Sequence, residues 1–219
     1  MNLRTVLFVL GILLSILGIA MLLPAIFQFY IGENSGNFLT SSFITIFVGV
    51  LLILSNLYTE KRLNLREAFI LTTSSWVGIA LFGSFPFFFS NLEMSFSDSF
   101  FESMSGITTT GSTVITNLDI APKGILMWRA LLQWLGGIGI IVMAITILPF
   151  LGVGGMQLFQ IQSASASEKI LPKTKEISFK IFYIYSSLTF FCFISYHLAG
   201  MNIFDSLAHS MTTIATGGF

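Results

Sequence analysis

Charge is what this 219-residue chain has least of: Asp, Glu, Lys and Arg make up only 9% of it, ten acidic against ten basic. Soluble domains carry about 25%, and so few charges cannot cover the surface of a soluble protein of this size. A soluble globular domain is excluded. The zero net charge argues nothing about partners, and no nucleic acid is expected among them. The single cysteine, Cys192, lies inside an apolar run, so an intrachain disulfide is excluded and packing is its expected role. The two histidines, His197 and His209, have no cluster of partners, and neither is read as a metal ligand or proton carrier. The G-x-S-x-G signature is also missing. An intramembrane hydrolase built on Ser103 or Ser210 is therefore a remote alternative, because those serines fall at helix-cap and short-helix positions. No enzyme activity and no covalent cofactor are expected.

What the chain has in quantity is apolar residues: 54% hydrophobic, 15% aromatic with 24 Phe, and a mean hydropathy of +0.88. About 20 apolar residues span a bilayer as helix, and five windows qualify: 5–29, 38–58, 67–89, 124–150 and 178–199. The first is too long for a signal-peptide core and reads as an uncleaved span. Lys and Arg favour the cytoplasmic side. With the N-terminus inside, Arg4, Lys61, Arg62, Arg66, Lys169, Lys173, Lys175 and Lys180 share that side, and only Lys123 and Arg129 lie outside. The predicted fold is an all-α integral membrane protein of about five spans. The stretch 95–123 is too polar and too short to cross twice, so it must dip in from the outside and return.

That stretch carries the most informative pattern in the chain. DSFFESMSGITTTGS, starting at Asp98, recurs without a gap as DSLAHSMTTIATGGF, starting at Asp205. Seven of the fifteen paired positions are identical: Asp98/Asp205, Ser99/Ser206, Ser103/Ser210, Met104/Met211, Ile107/Ile214, Thr109/Thr216 and Gly111/Gly218. Each copy opens on a capping residue, Ser95 or Asn202, with Asp98 or Asp205 three positions on, which predicts the start of a short helix. Each reaches TTTGS or ATGGF about ten residues later. There β-branched Thr and a glycine able to take positive φ end the helix. Non-helical backbone at membrane depth is tolerated only in protein or along a water-filled cavity. Its carbonyls and the negative C-terminal end of the half-helix both favour a cation.

The residues FESMSGITTTGSTVITNLD from Phe101, WRALLQWLGGIGIIV from Trp128 and HSMTTIATGGF from His209 resemble the TrkH/KtrB/HKT superfamily of potassium uptake transporters, most closely its bacterial TrkH branch. The resemblance implies units of helix, re-entrant pore loop and helix arranged around a central pore, four to a complete protein. It implies residues 1–62 as an extra N-terminal helix pair, 63–152 as the first unit, 153–176 as a cytoplasmic linker, and 177–219 as an incomplete second unit. It also implies potassium as the substrate, lined by the backbone carbonyls of Thr108, Thr109, Thr110, Gly111 and Ser112 in one quarter of a filter. Ala215, Thr216, Gly217 and Gly218 line the next. The implied location is the bacterial cytoplasmic membrane. The implied partners are lipid, the missing C-terminal half or a second transporter chain, and a TrkA-like nucleotide-binding regulatory subunit on the linker face.

Ending inside a filter loop leaves a carboxylate at membrane depth without a returning helix. A non-transporting truncated or split chain that needs a partner is thus the alternative function. Among the supporting residues, Asp98 and Asp205 are expected as caps. Glu102 is expected either to brace the loop or to concentrate cations at the mouth. Arg129 is expected to pair with Asp119 or Glu102, or to rest at the outer interface. Gly136, Gly137 and Gly139 are expected to permit close helix approach or a bend.

Overall fold

The computed structural model of the chain describes residues 3–57, 65–151 and 170–219, and among these every regular element is helical. Helices α1 (Leu3–Ala20) and α2 (Leu22–Tyr30) form one interrupted span. The break at Met21 has a local cause: Pro24 has no N–H to give the carbonyl four residues earlier, at Ala20. Helix α3 (Gly36–Ser55) is the second span, and α4 (Leu65–Gly83) with the short α5 (Phe85–Phe88) makes the third. A 12-residue helix α6 (Phe96–Ile107) follows, then extended chain, then α7 (Lys123–Leu151), α8 (Ile170–Leu198) and a second 12-residue helix α9 (Ile203–Ile214).

Among the described residues five helices are long and apolar enough to cross a membrane: Leu3–Tyr30, Gly36–Ser55, Arg66–Phe88, Lys123–Ile141 and Glu176–Leu198. They match the five windows read from hydropathy. Helices α6 and α9 are too short to join them, because 12 residues reach only about 18 Å as helix. Helix α8 begins at Ile170, inside the stretch read as linker. The rest of that linker, with Lys169, and the basic pair Lys61 and Arg62 lie outside the described residues.

Polarity is arranged as a lipid solvent demands. Phe43 and Phe47 on α3 and Phe190 and Phe191 on α8 face outward, while Ser41, Ser42 and Thr45 on α3 are buried. Without a hydrophobic drive between helices, small residues let backbones approach. A Cβ on Gly11 of α1 would stand 2.7 Å from the Gly49 carbonyl of α3, and Ser42 Oγ donates to the Gly18 carbonyl at 2.7 Å. The apolar core runs from Leu14, Leu17 and Met21 through Phe38 and Phe87 to Trp128 and Leu132. Trp128 Nε1 donates to the Gly83 carbonyl at 2.9 Å, tying α7 to the end of α4. Helix α7 packs against both short helices, so it is the wall they share.

Candidate functional site

The repeated segments fold alike, residue for residue. Ser95 Oγ accepts from the Asp98 amide at 3.1 Å and Asn202 Oδ1 from the Asp205 amide at 2.9 Å, both caps in extended backbone. Asp98 and Asp205 also accept from the capping side chains, at 2.7 and 2.5 Å, so each cap is reciprocal. The caps stand where the sequence placed them.

The helices also end alike. The Thr109 amide donates to the Gly106 carbonyl at 3.0 Å and the Thr110 amide to the Ser105 carbonyl at 2.9 Å. In the second copy Thr216 donates to Thr213 at 3.0 Å and Gly217 to Thr212 at 3.1 Å. These are Schellman closures, which place one residue in left-handed backbone. That residue is Thr109 at φ 56° and Thr216 at φ 59°, with Gly111 at 78° and Gly218 at 64° following two positions later. Glycine alone was expected to take positive φ; the threonine supplies it first, against its own preference. The reason is the closure, which needs the left-handed turn immediately after the last helical residues.

The chain beyond each turn leaves its carbonyls free. Among the described residues no hydrogen bond reaches the carbonyl of Thr108, Thr109, Thr110 or Gly111, nor that of Ala215, Thr216, Gly217 or Gly218. Ser112 differs, since its carbonyl accepts from Ser105 Oγ at 2.6 Å. The two segments touch: the Gly217 carbonyl oxygen lies against Gly111, where a Cβ would overlap it. Both helix C-termini rest on α7. A Cβ on Gly136 would overlap the Ile107 carbonyl at the end of α6, and one on Gly137 would stand 3.3 Å from Ala215 Cα at the end of α9. These two glycines are seats. Gly139 differs, for none of the described residues lies within 4 Å of where its Cβ would be. Two helix C-termini brought to one place concentrate partial negative charge there.

Behind the first segment lies a buried ion pair. Glu102 is 0% exposed and accepts from Arg129 Nε at 2.7 Å, from Thr113 Oγ1 at 2.9 Å and from the Val114 amide at 3.0 Å. Glu102 therefore braces the returning chain and does not stand at an open mouth. Arg129 finds Glu102 as its partner and also lies 3.8 Å over the ring of Phe219, linking both segments. His209, at the repeat position of Glu102, is exposed and its ring meets that of Tyr196 edge-on. His197 bonds the Met201 carbonyl at 3.1 Å and stacks on Phe193. Among the described residues no cluster of metal-ligand type occurs.

Three residues at this site escaped the sequence reading. Gln133 of α7 is 0% exposed, and a Cβ on Gly217 would overlap its amide group. A lone amide inside an otherwise apolar span was the available signal. Ser105 and Thr113 were also missed, because their partners are distant in the turn and invisible to spacing.

The chain was compared with known proteins. The family model for TrkH, described as cation transport protein, matches residues 34–219. Over the whole chain it is 41% identical to the Trk system potassium uptake protein TrkH of Halomonas elongata and 37% identical to that of Escherichia coli K12. In both cases it spans 46% of the relative, so it covers about half the length of the curated relatives it matches. The crystal structure of the potassium transporter TrkH from Vibrio parahaemolyticus superposes with a TM-score of 0.88 at 39% identity, over 100% of this chain and 44% of that one. The repeated turns, the five spans and these likenesses agree: the chain belongs to the TrkH cation transport family.

Proposed function

We propose that this chain forms the first half of a potassium uptake transporter, and that its two turns are adjacent quarters of a carbonyl-lined selectivity filter. The observation that carries this reading is the set of eight carbonyls, Thr108 to Gly111 and Ala215 to Gly218, which accept no hydrogen bond among the described residues. Non-helical backbone at membrane depth must line a water-filled cavity or find partners, and in a pore a dehydrated cation supplies the partner. Two half-helices end at the same place with their negative ends toward it, which favours a cation and opposes an anion. The Ser112 carbonyl, held by Ser105, closes the first quarter against its own helix.

The same reading divides the chain into a helix pair at 1–62, a first unit at 63–152, a linker at 153–176 and the start of a second unit at 177–219. It sets the N-terminus on the cytoplasmic side of a bacterial inner membrane, because eight of the ten Lys and Arg then lie inside. The remaining quarters come from further chain of the length the relatives have, or from a second chain. A nucleotide-binding regulatory subunit of the TrkA kind docks on the linker face.

The test is rubidium uptake and low-potassium growth in a bacterium stripped of its own potassium importers. It is made with this chain alone and with this chain completed to family length. The completed form restores growth and uptake. Failure of a well-expressed completed form to carry potassium or rubidium sinks the proposal.

A further inference from the structure

The two turns share a backbone but not the side chains that support it, and the difference falls at one place. In the first turn Thr108 Oγ1 and Thr110 Oγ1 bond each other at 2.7 Å, and Thr108 Oγ1 also donates to the Met104 carbonyl at 2.8 Å. The repeat positions in the second turn are Ala215 and Gly217, which carry no hydroxyl. Gly217 does not have positive φ, so backbone freedom does not explain a glycine there. Space does: a Cβ on Gly217 would overlap the carbon, nitrogen and oxygen of the Gln133 amide.

That amide is fully buried, and neither its nitrogen nor its oxygen has a hydrogen-bond partner among the described residues. It also lies close to the first turn, with Nε2 3.8 Å from the Cβ position of Gly111. A buried amide with both ends unpaired is destabilising, and apolar residues of similar size would remove that penalty. Its place between Gly111 and Gly217 gives the reason for keeping it.

We infer that Gln133 is a positioning residue for ion selection: its amide takes the place of the Thr108–Thr110 hydroxyl pair in the second turn and fixes the Gly217 peptide against Gly111. Packed against Gly217 with no room for even a Cβ between them, the amide leaves that peptide no space to swing toward α7, so it resists rearrangement of the second turn around a wrong-sized ion. This inference rests on the reading of the turns as filter.

The experiment uses the chain completed to family length, with the preference for potassium over sodium as readout and membrane abundance as control. Gln133→Leu, whose branched end cannot lie flat against Gly217 as the planar amide does, is expected to lower the preference about tenfold. Gly217→Thr alone abolishes uptake, because its side chain has no room beside the amide. The paired exchange Gln133→Ala with Gly217→Thr restores the hydroxyl support of the first turn, and with it uptake and part of the preference. A merely structural glutamine would not show that rescue. If Gln133→Leu does not fold, the paired exchange decides: a folded, unselective pair overturns the inference. An unchanged preference in well-folded Gln133→Leu also overturns it. Gly111→Ser separates the two readings. If it alters selectivity and Gln133→Leu does not, only this inference falls; if neither does, the filter reading falls with it.

Discussion

The first turn, after α6, and the second, after α9, trace the same backbone with different support. Both open on a reciprocal cap and close through left-handed threonines. Behind the first lies the buried Glu102–Arg129 pair, and Ser105 holds Ser112 in place. Behind the second stands exposed His209 where Glu102 would be, and Phe219 under Arg129 where Ser112 would be. The shared residues thus include those that set backbone conformation, the acid at the third helical position and the Thr and Gly with positive φ, beside two packed serines and the apolar Met and Ile of each short helix. The divergent ones make tertiary contacts. A repeat in sequence conserves the local fold and leaves each copy free to find its own neighbours.

The largest expected effect separates Glu102 from its counterpart. Removing one member of a buried ion pair leaves the other charge unpaired, which costs about 3–5 kcal/mol. Glu102→Ala also strands Thr113 Oγ1 and the Val114 amide. The completed protein carrying Glu102→Ala should melt well below the parent in detergent, whereas His209→Ala, at an exposed site, should change stability by less than about 0.5 kcal/mol. Equal losses at the two positions would show that the second copy is braced in the same way as the first.

A smaller effect falls on the paired glycines. Gly111 and Gly218 share left-handed backbone, so any side chain costs each about 1–2 kcal/mol. A Cβ on Gly111 would also overlap the Gly217 carbonyl of the neighbouring turn. In the completed protein Gly111→Ser should therefore reduce potassium preference at least about tenfold, and Gly218→Ser should reduce it by at least the backbone cost, about fivefold. Ion-competition uptake measures both. An unchanged preference in either variant would remove that glycine from the filter reading.

Much of this was legible beforehand, for reasons that particular residues make plain. Ser95 and Asn202 announced helix starts because a cap is a local event, decided by one side chain and an amide three residues on. The spans were legible because lipid imposes a length of apolar chain. Gln133, Ser105 and the Glu102–Arg129 pairing were hidden or left open, since each depends on which element comes alongside. Gly139 reads like Gly136 and Gly137, yet among the described residues only those two meet a helix end. The left-handed threonines were hidden by propensity, which assigns positive φ to glycine.

Those threonines give the finest test of the comparison. A β-branched residue in left-handed backbone is strained by about 1–2 kcal/mol, and glycine removes that strain while adding about 0.5–1 kcal/mol of backbone entropy to the unfolded chain. Thr109→Gly and Thr216→Gly should each raise stability by up to about 1 kcal/mol, and by the same amount, since φ is 56° and 59°. Melting of the completed protein checks this. Both variants should also lose preference for potassium, because threonine confines the turn to a narrow range of φ and ψ that glycine releases. Strain held at a site that stability alone would relax is what a rigid cage for one size of ion requires. A variant more stable and equally selective would show that the threonines serve the helix closure alone.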